Sequence, residues 1–124
     1  MSKVWIVKEQ VIRGEAGPAL MDYSPALEFG DLEFITTHDM PMYQKSTVQE
    51  NWNADVTRFA RAYDPDSDYI VTTGQPTAIF MVGWVLGMAQ KAPRFLVWRR
   101  EENRYRPLVV TAGFTQFTES VTHK

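Results

Sequence analysis

The sequence predicts an α/β fold: a single-domain mixed sheet with a partly parallel core, two main helices and a C-terminal antiparallel hairpin. Short β-branched and aromatic runs, at residues 3–8 and 69–73, alternate with two helical patterns that follow residues 47 and 76. The last strand-like run doubles back at residues 101–103. Strands that alternate with helices are typical of a sheet with parallel neighbours. The predicted order is β, β, α, β, α, β, β.

The first strand is KVWIVK at residues 3–8, and GEAGP at residues 14–18 is a turn. The stretch SPALEFGDLEFI allows two interpretations. In one, Gly30-Asp31 forms a type II′ turn between two strands. In the other, a loose Pro-Ala-Leu segment leads into a single strand, Leu32 to Thr37. We favour the second, because that strand then ends in the polar loop THDMP.

The first helix begins at a capping box, in which Thr47 is the N-cap and Glu50 reaches back from the third helical position. Behind it, large apolar residues recur at spacings of four, four, three and four, which indicates one buried helix face. These residues are Val48, Trp52, Val56, Phe59 and Tyr63. The helix should end at Asp64-Pro65, because a residue before proline avoids helical angles.

Tyr69 to Thr73 is predicted to be a short strand buried on both faces. Pro76 then suits the first position of a helix. The apolar residues of this second helix point in every direction, so we expect it to be covered on most sides. Gly83 and Gly87 lower helix propensity, and we therefore expect a sheet, another helix or a second subunit to approach them closely.

The C-terminal hairpin is predicted to have the strands Arg94 to Arg100 and Arg104 to Thr111, joined by a turn in which Asn103 tolerates positive φ. Pro107 should lie on an outer edge of the sheet or at a strand irregularity. The single domain is expected to span residues 1–124, with residues 115–124 as an extended or frayed tail.

Composition narrows the classes of function. The chain has no cysteine, which excludes disulfides, a thiolate nucleophile and Cys-ligated metals. The longest apolar run, Ala78 to Ala89, is shorter than the roughly 20 residues that a membrane-spanning helix needs. The start of the chain lacks the length of a signal peptide. We therefore expect a cytoplasmic protein that does not bind membranes.

One candidate ligand site lies where the predicted strands end, because open α/β sheets bind ligands beyond the carboxyl ends of their strands. The helix that starts at Pro76 would add unpaired N–H groups. The candidate residues are Thr36, His38, Asp39, Thr72, Thr73, Gly74, Gln75 and Thr77. The turn is neither a Walker loop nor a dinucleotide fingerprint, so a plain bend is the competing interpretation.

His38-Asp39 has the residue types of a metal pair or of a general base with its orienting carboxylate. The other histidine is His123, near the end of the chain. A loop histidine without catalytic duty is the favoured interpretation, and we expect no catalytic residue, no metal and no cofactor.

The second candidate site is a basic aromatic surface on the hairpin. Its residues are Trp98, Arg99, Arg100, Arg104, Tyr105 and Arg106. They contrast with the acidic stretch from Asp22 to Asp68 and could steer a partner. Trp, Tyr and Arg are common anchors of protein interfaces, and arginine with aromatic residues also binds nucleic acid. The acidic sequence pI of 5.6 and the glutamates in the turn favour a protein partner.

Three stretches together resemble small proteins encoded by tailed bacteriophages: YSPALEFGDLEFI, SDYIVTTGQPTAI and FLVWRREENRYRPLVV. The shared pattern is a Ser-Pro-Ala…Phe-Gly segment before a strand, an Asp-Tyr…Gly-x-Pro turn that opens an apolar helix, and a Trp-x-Arg…Tyr-x-Pro hairpin. The resemblance implies an accessory phage product in the host cytoplasm that contacts host machinery or the replication apparatus. It assigns no catalytic residue.

The sequence thus favours a phage accessory protein that acts as a non-catalytic binding module for a host protein, a phage protein or nucleic acid, through the basic hairpin. One alternative is binding or hydrolysis of a nucleotide or phosphate ester at the strand-end site. Another is a virion or scaffold component that self-assembles as a homo-oligomer through the Gly83/Gly87 face.

Overall fold

The fold is a five-stranded mixed sheet with two helices on one face, seen in a computed structural model. The structure describes residues 2–8, 11–14, 17–38 and 47–109, and for residues 11–14, 17–19, 47 and 48 it describes the backbone alone. The strands of this sheet are Lys3–Lys8 (β1), Asp31–Thr36 (β4), Tyr69–Val71 (β5), Arg94–Arg99 (β6) and Arg104–Val109 (β7). They lie in the order β4-β1-β5-β6-β7.

The pairing directions confirm the predicted α/β class. Strand β1 pairs in parallel with both β4 and β5, and β5 pairs in parallel with β6. The last pair, β6 with β7, is antiparallel and is the predicted C-terminal hairpin. Pro107 lies in β7 at the end of the strand order, where its missing N–H breaks no ladder.

The two helices lie on the same face because both connections step along the sheet in the same direction. Helix α1, Thr47–Ala62, connects β4 to β5, and helix α2, Pro76–Met88, connects β5 to β6. Right-handed crossovers in one direction place their helices on one face. The connection from β1 to β4 moves along the sheet in the opposite direction. It contains a 3-10 helix, Ser24–Phe29, which covers the opposite face of the sheet.

The Ser24–Phe29 helix also settles how the chain enters β4. It rules out the Gly30-Asp31 hairpin, and the favoured single strand is confirmed, with its start one residue earlier than predicted. Gly30 fits there because a Cβ on it would lie 2.5 Å from the backbone oxygen of Ser2. The Asp31 N–H donates to that same oxygen at 3.1 Å, so the close approach fixes the register of β4 on β1.

Two strands were not predicted. Val11–Gly14 (β2) and Gly17–Leu20 (β3) form a separate antiparallel pair around the predicted turn. The sequence GPAL has little β propensity, so this strand could not be recognised from its composition.

The core confirms the predicted face of α1. Trp52, Val56, Phe59 and Tyr63 are all buried, in a cluster with Trp5 and other sheet residues on the helix-bearing face. The side chains of Thr47 and Val48, and therefore the capping box, lie outside the described residues. A second cluster, on the opposite face, packs Val4, Ile6 and Leu96 against the 3-10 helix.

Helix α2 corrects the sequence expectation. It was predicted to be covered on most sides, but only Ala78, Val82 and Leu86 are buried. Phe80, Trp84 and Met88 are 77%, 56% and 59% exposed. The reason is that the sheet lies on one side of α2, and no described element lies on its outer side.

Candidate functional site

The hairpin tip, residues 98–106, is the best-defined candidate surface. The register pairs Trp98 with Tyr105 and Arg99 with Arg104. The chain reverses because the N–H groups of Glu102 and Asn103 donate to the carbonyls of Arg99 and Arg100. Asn103 has φ of 54°, as predicted for a residue that tolerates the left-handed region.

Trp98 is a half-exposed aromatic residue that packs on a buried tyrosine. Its indole is 41% exposed and meets the ring of Tyr105 edge-on, with centroids 5.0 Å apart. Tyr105 is only 5% exposed and belongs to the core cluster under the 3-10 helix. Burial raises the pKa of the Tyr105 hydroxyl. Trp98 is thus held in place without being covered.

Acidic partners neutralise most of the arginines of the hairpin tip. The Arg106 guanidinium donates to both carboxylate oxygens of Glu102, at 2.7 and 2.9 Å. Its hydrogen bond lowers the pKa of Glu102. Two longer pairs join Arg99 to Glu101 at 3.6 Å and Arg104 to Glu28 at 3.7 Å.

Arg100 differs from the other three arginines of the hairpin tip. It is exposed and, among the residues that the structure describes, forms no ion pair. Within the described part of the chain, the tip therefore presents one arginine without an ionic partner, not a continuous basic stripe.

The strand-end site lies at the point where the strand order reverses. Strands β4 and β5 flank β1 on opposite sides, so the carboxyl ends of β1 and β5 form a topological switch point. Thr73 joins these ends, because its hydroxyl donates to the Lys8 carbonyl at 3.1 Å and accepts from the Tyr23 hydroxyl at 3.4 Å. Gly74 makes the bend with φ of 128°.

The remaining residues of that loop face solvent. Thr72, Gln75 and Thr77 are exposed, and Gln75 occupies the N-cap position of α2 without a side-chain capping hydrogen bond. Polar side chains are thus available at the switch point, although Thr73 is used in holding it together.

The residues at the end of β4 that were predicted to belong to the strand-end site lie in a separate hydrogen-bonded cluster. The buried Thr36 hydroxyl donates to Asp55 of α1 at 2.9 Å and accepts from the His38 N–H at 3.0 Å. The His38 imidazole lies 4.0 Å from the same carboxylate, whose other oxygen accepts from Arg58 at 3.0 Å. Among the described residues, no hydrogen bond or ion pair joins this group to Thr72–Thr77, because β1 lies between β4 and β5. Asp39 lies outside the described residues.

Sequence reasoning missed Asp55, which connects α1 to the end of β4. Its signal is weak: a carboxylate on the flank of the α1 apolar face, three residues before Arg58. Asp55 has three described partners, so the group with Thr36 and His38 is explained as a structural tie between α1 and β4.

Sequence reasoning also missed Asp68. Its buried carboxylate accepts from the Lys3 N–H at 2.9 Å, the Trp5 indole N–H at 3.0 Å and the Asp64 N–H at 2.9 Å. Desolvation by burial would raise the pKa of Asp68, but these donors, with Ser67, outweigh it and lower the pKa. The residue joins the starts of β1 and β5 and is structural.

The described residues thus define a small α/β protein with an antiparallel edge hairpin, and no described helix is both long and apolar enough to cross a membrane. A family model, described as phage Pam3 gp32-like protein, matches residues 2–112. The chain belongs to this family, which confirms the resemblance to small phage-encoded proteins. No curated protein and no solved structure matches it.

Proposed function

We propose that this phage-type protein is a non-catalytic binding module that recognises a protein partner through the hairpin tip. The observation that carries the proposal is the half-exposed Trp98, which packs on the buried ring of Tyr105. Interfaces concentrate their binding energy in such rigid aromatic and arginine anchors. A fixed side chain also loses little conformational entropy on binding.

The charge pattern favours a protein over nucleic acid. Binding to a phosphate backbone depends on the number of cations available for phosphate contacts. Arg99, Arg104 and Arg106 are already paired with acids, and Arg106 is held by two hydrogen bonds. A partner protein that offers an apolar pocket with one or two carboxylates complements Trp98 and Arg100.

The test is affinity capture from phage-infected host extract with the wild-type chain, Trp98→Ala and Trp84→Ala. Trp84 is a matched control because it is an exposed tryptophan on α2. We expect the captured protein to be retained by Trp84→Ala and reduced at least tenfold by Trp98→Ala, because loss of an interface anchor costs about 2 kcal/mol or more.

If Trp84→Ala no longer captured the protein while Trp98→Ala still did, the binding surface would lie on α2. Capture that disappears after nuclease treatment would replace the protein partner by nucleic acid. A nucleic-acid complex would also weaken steeply with added salt, whereas the proposed anchor contact should change little between 50 and 200 mM salt.

A second candidate function is small-molecule binding at the switch point, and the reversal of strand order between β1 and β5 favours it. The groups that could contact a ligand there are the exposed side chains of Thr72, Gln75 and Thr77 and the N-terminus of α2. A thermal-shift screen of nucleotides and phosphate esters tests it, since a ligand that binds the folded state raises the melting temperature in a saturable way. A screen without a saturable shift removes this candidate.

A further inference from the structure

A cavity of about 180 Å³ lies between α2 and the sheet. Its floor comes from three neighbouring strands, through Val7 of β1, Ile70 of β5 and Phe95 of β6. Ile70 and Phe95 are paired directly in the sheet. Val82 and Leu86 of α2 form the opposite wall, and both are buried. The cavity is thus part of the layer between helix and sheet.

The cavity reaches solvent at the carboxyl end of β5. Thr72 and Gly83 are the exposed residues of its lining. Thr72 directly follows β5, and because side chains alternate along a strand it lies on the same face as Ile70. Ligands of open α/β sheets bind beyond the carboxyl ends of the strands, at a switch point such as the one between β1 and β5. The cavity therefore lies where a sheet of this kind binds ligands.

The chemistry of the lining defines the kind of ligand. Among the described residues, the lining is apolar apart from Thr72, which carries its one polar side chain. Within that part of the chain, the Thr72 hydroxyl makes no hydrogen bond. Ligand sites commonly combine an apolar wall with a few polar groups that fix the orientation of the ligand. A complementary ligand has an apolar body and one group that can form a hydrogen bond with a hydroxyl.

The volume of the cavity limits the size of that ligand. An apolar cavity of about 150 Å³ holds a benzene ring. Pockets for drug-sized ligands measure about 300–1,000 Å³. The 180 Å³ of this cavity fits one ring with a small substituent and is too small for a nucleotide. The ring of Phe95 in the floor favours an aromatic ligand, because aromatic rings gain energy from edge-to-face and offset contacts.

We propose that this cavity binds a phenol-like small molecule, with its ring between α2 and Phe95 and its hydroxyl hydrogen-bonded to Thr72. The site is distinct from the hairpin tip, so it does not depend on the proposed recognition of a protein. It also differs in chemistry from the candidate site for nucleotides and phosphate esters. A phosphate would lose its water against an apolar wall without gaining a charged partner. The two candidates share Thr72, and the choice of probe separates them.

Methyl NMR of the full chain during titration with phenol tests the proposal. Bound phenol should shift the methyl signals of Ile70, Val82 and Leu86 in a saturable way, because the magnetic effect of an aromatic ring acts over short distances. The signals of Ile6 and Leu96, in the cluster on the opposite face of the sheet, should stay unchanged. Phenyl phosphate, the matched ester, should shift none of these signals.

Substitutions at the two glycines of α2 supply a matched pair. A Cβ on either glycine meets no described atom within 4 Å, so both positions have room for a side chain. Gly83 lines the cavity and Gly87 does not. Gly83→Leu should weaken phenol binding by about tenfold or more, because the leucine occupies the entrance, and Gly87→Leu should change it by less than about twofold. Thr72→Val should weaken phenol binding about fivefold through the loss of one hydrogen bond, and should leave benzene binding within about twofold.

Absence of a saturable shift in the lining methyl signals of the wild-type chain would overturn the proposal, and so would equal shifts of Ile6 and Leu96. Equal weakening by the two glycine variants would place the ligand outside the cavity. Equal losses of phenol and benzene binding in Thr72→Val would contradict the hydrogen bond to Thr72. Shifts with phenyl phosphate and none with phenol would assign the site to the phosphate-ester candidate. None of these results bears on the capture of a protein by the hairpin tip.

Discussion

Asp68 shows how one side chain can hold the start of a parallel sheet together. Its carboxylate accepts from groups on β1, from the end of α1 and from its own turn. A buried carboxylate is favourable only when hydrogen bonds replace its lost water, and here three N–H donors and a hydroxyl do so.

Removal of this carboxylate should be strongly destabilising. In Asp68→Ala the donors of Lys3, Trp5 and Asp64 lose their acceptor, and each unsatisfied buried donor costs about 1–3 kcal/mol. We expect a total loss of about 3 kcal/mol in the free energy of unfolding, measured by urea denaturation. Asp66→Ala, an exposed aspartate of the same turn, should change it by less than about 0.5 kcal/mol.

The lowered pKa of Asp68 sets the sign of its pH dependence. The folded state favours the carboxylate, so its stabilising effect is complete above the ordinary pKa of 3.8 and is lost as the pH falls through the lower folded value. The difference in unfolding free energy between the wild-type chain and Asp68→Asn should be constant from pH 5 to 8 and should shrink below pH 3.8. A difference that grows on acidification would contradict this assignment.

Among the secondary-structure elements, helix α1 is stabilised both by its buried apolar face and by hydrogen bonds at its C-terminus. The ammonium group of Lys91, in the loop after α2, donates to the carbonyls of Ala60, Arg61 and Tyr63 at 2.7 to 2.9 Å. These carbonyls are the unpaired acceptors at the end of a helix, where a positive charge also meets the helix dipole favourably.

Lys91→Met keeps the aliphatic length of the side chain and removes its ammonium group. We expect the melting temperature to fall in step with a loss of about 1–2 kcal/mol, because three carbonyls lose their donor. Arg61→Met is the control, since Arg61 is an exposed cation in the last turn of α1. Equal effects of the two substitutions would show that the Lys91 contacts do not stabilise the helix end.

The two helices offer a matched pair of phenylalanines. Phe59 of α1 is 1% exposed and packs edge-on against Trp5, whereas Phe80 of α2 is 77% exposed. Phe59→Ala should cost about 3–5 kcal/mol through lost burial and a cavity. Phe80→Ala should stay within about 0.5 kcal/mol, and a large loss in its unfolding free energy would mean that this face of α2 is covered.

At the scale of the whole molecule, the sequence predicted most of the sheet but not the orientation of α2. Trp52, Val56 and Phe59 lie on one side of α1, so their spacing identified the buried face of this helix. The apolar residues of α2 lie on all sides of the helix and define no single apolar face. The exposure of Phe80 and Trp84 therefore could not be predicted from the sequence. The buried side of α2 is determined by the sheet, which packs against one side of the helix only.

The candidate sites show the same limit. The hairpin tip was predictable because Trp98 and Tyr105 are close in sequence and the turn between them is local. The grouping of Thr36 with Thr72–Thr77 was not, because β1 lies between β4 and β5 and α1 supplies the partner Asp55. Asp68 was missed because its donors, Lys3 and Trp5, are more than 60 residues away.

Recognition of a partner protein by the hairpin tip can be tested by fluorine NMR of the chain labelled with 5-fluorotryptophan. Trp5 and Trp52 are buried, and Trp84 and Trp98 are exposed, so the four signals can be assigned by single substitutions to phenylalanine. Addition of nuclease-treated infected-cell extract should shift or broaden the Trp98 signal and leave the Trp84 signal unchanged. A change in the Trp84 signal with an unaltered Trp98 signal would place the binding surface on α2 instead of the hairpin tip.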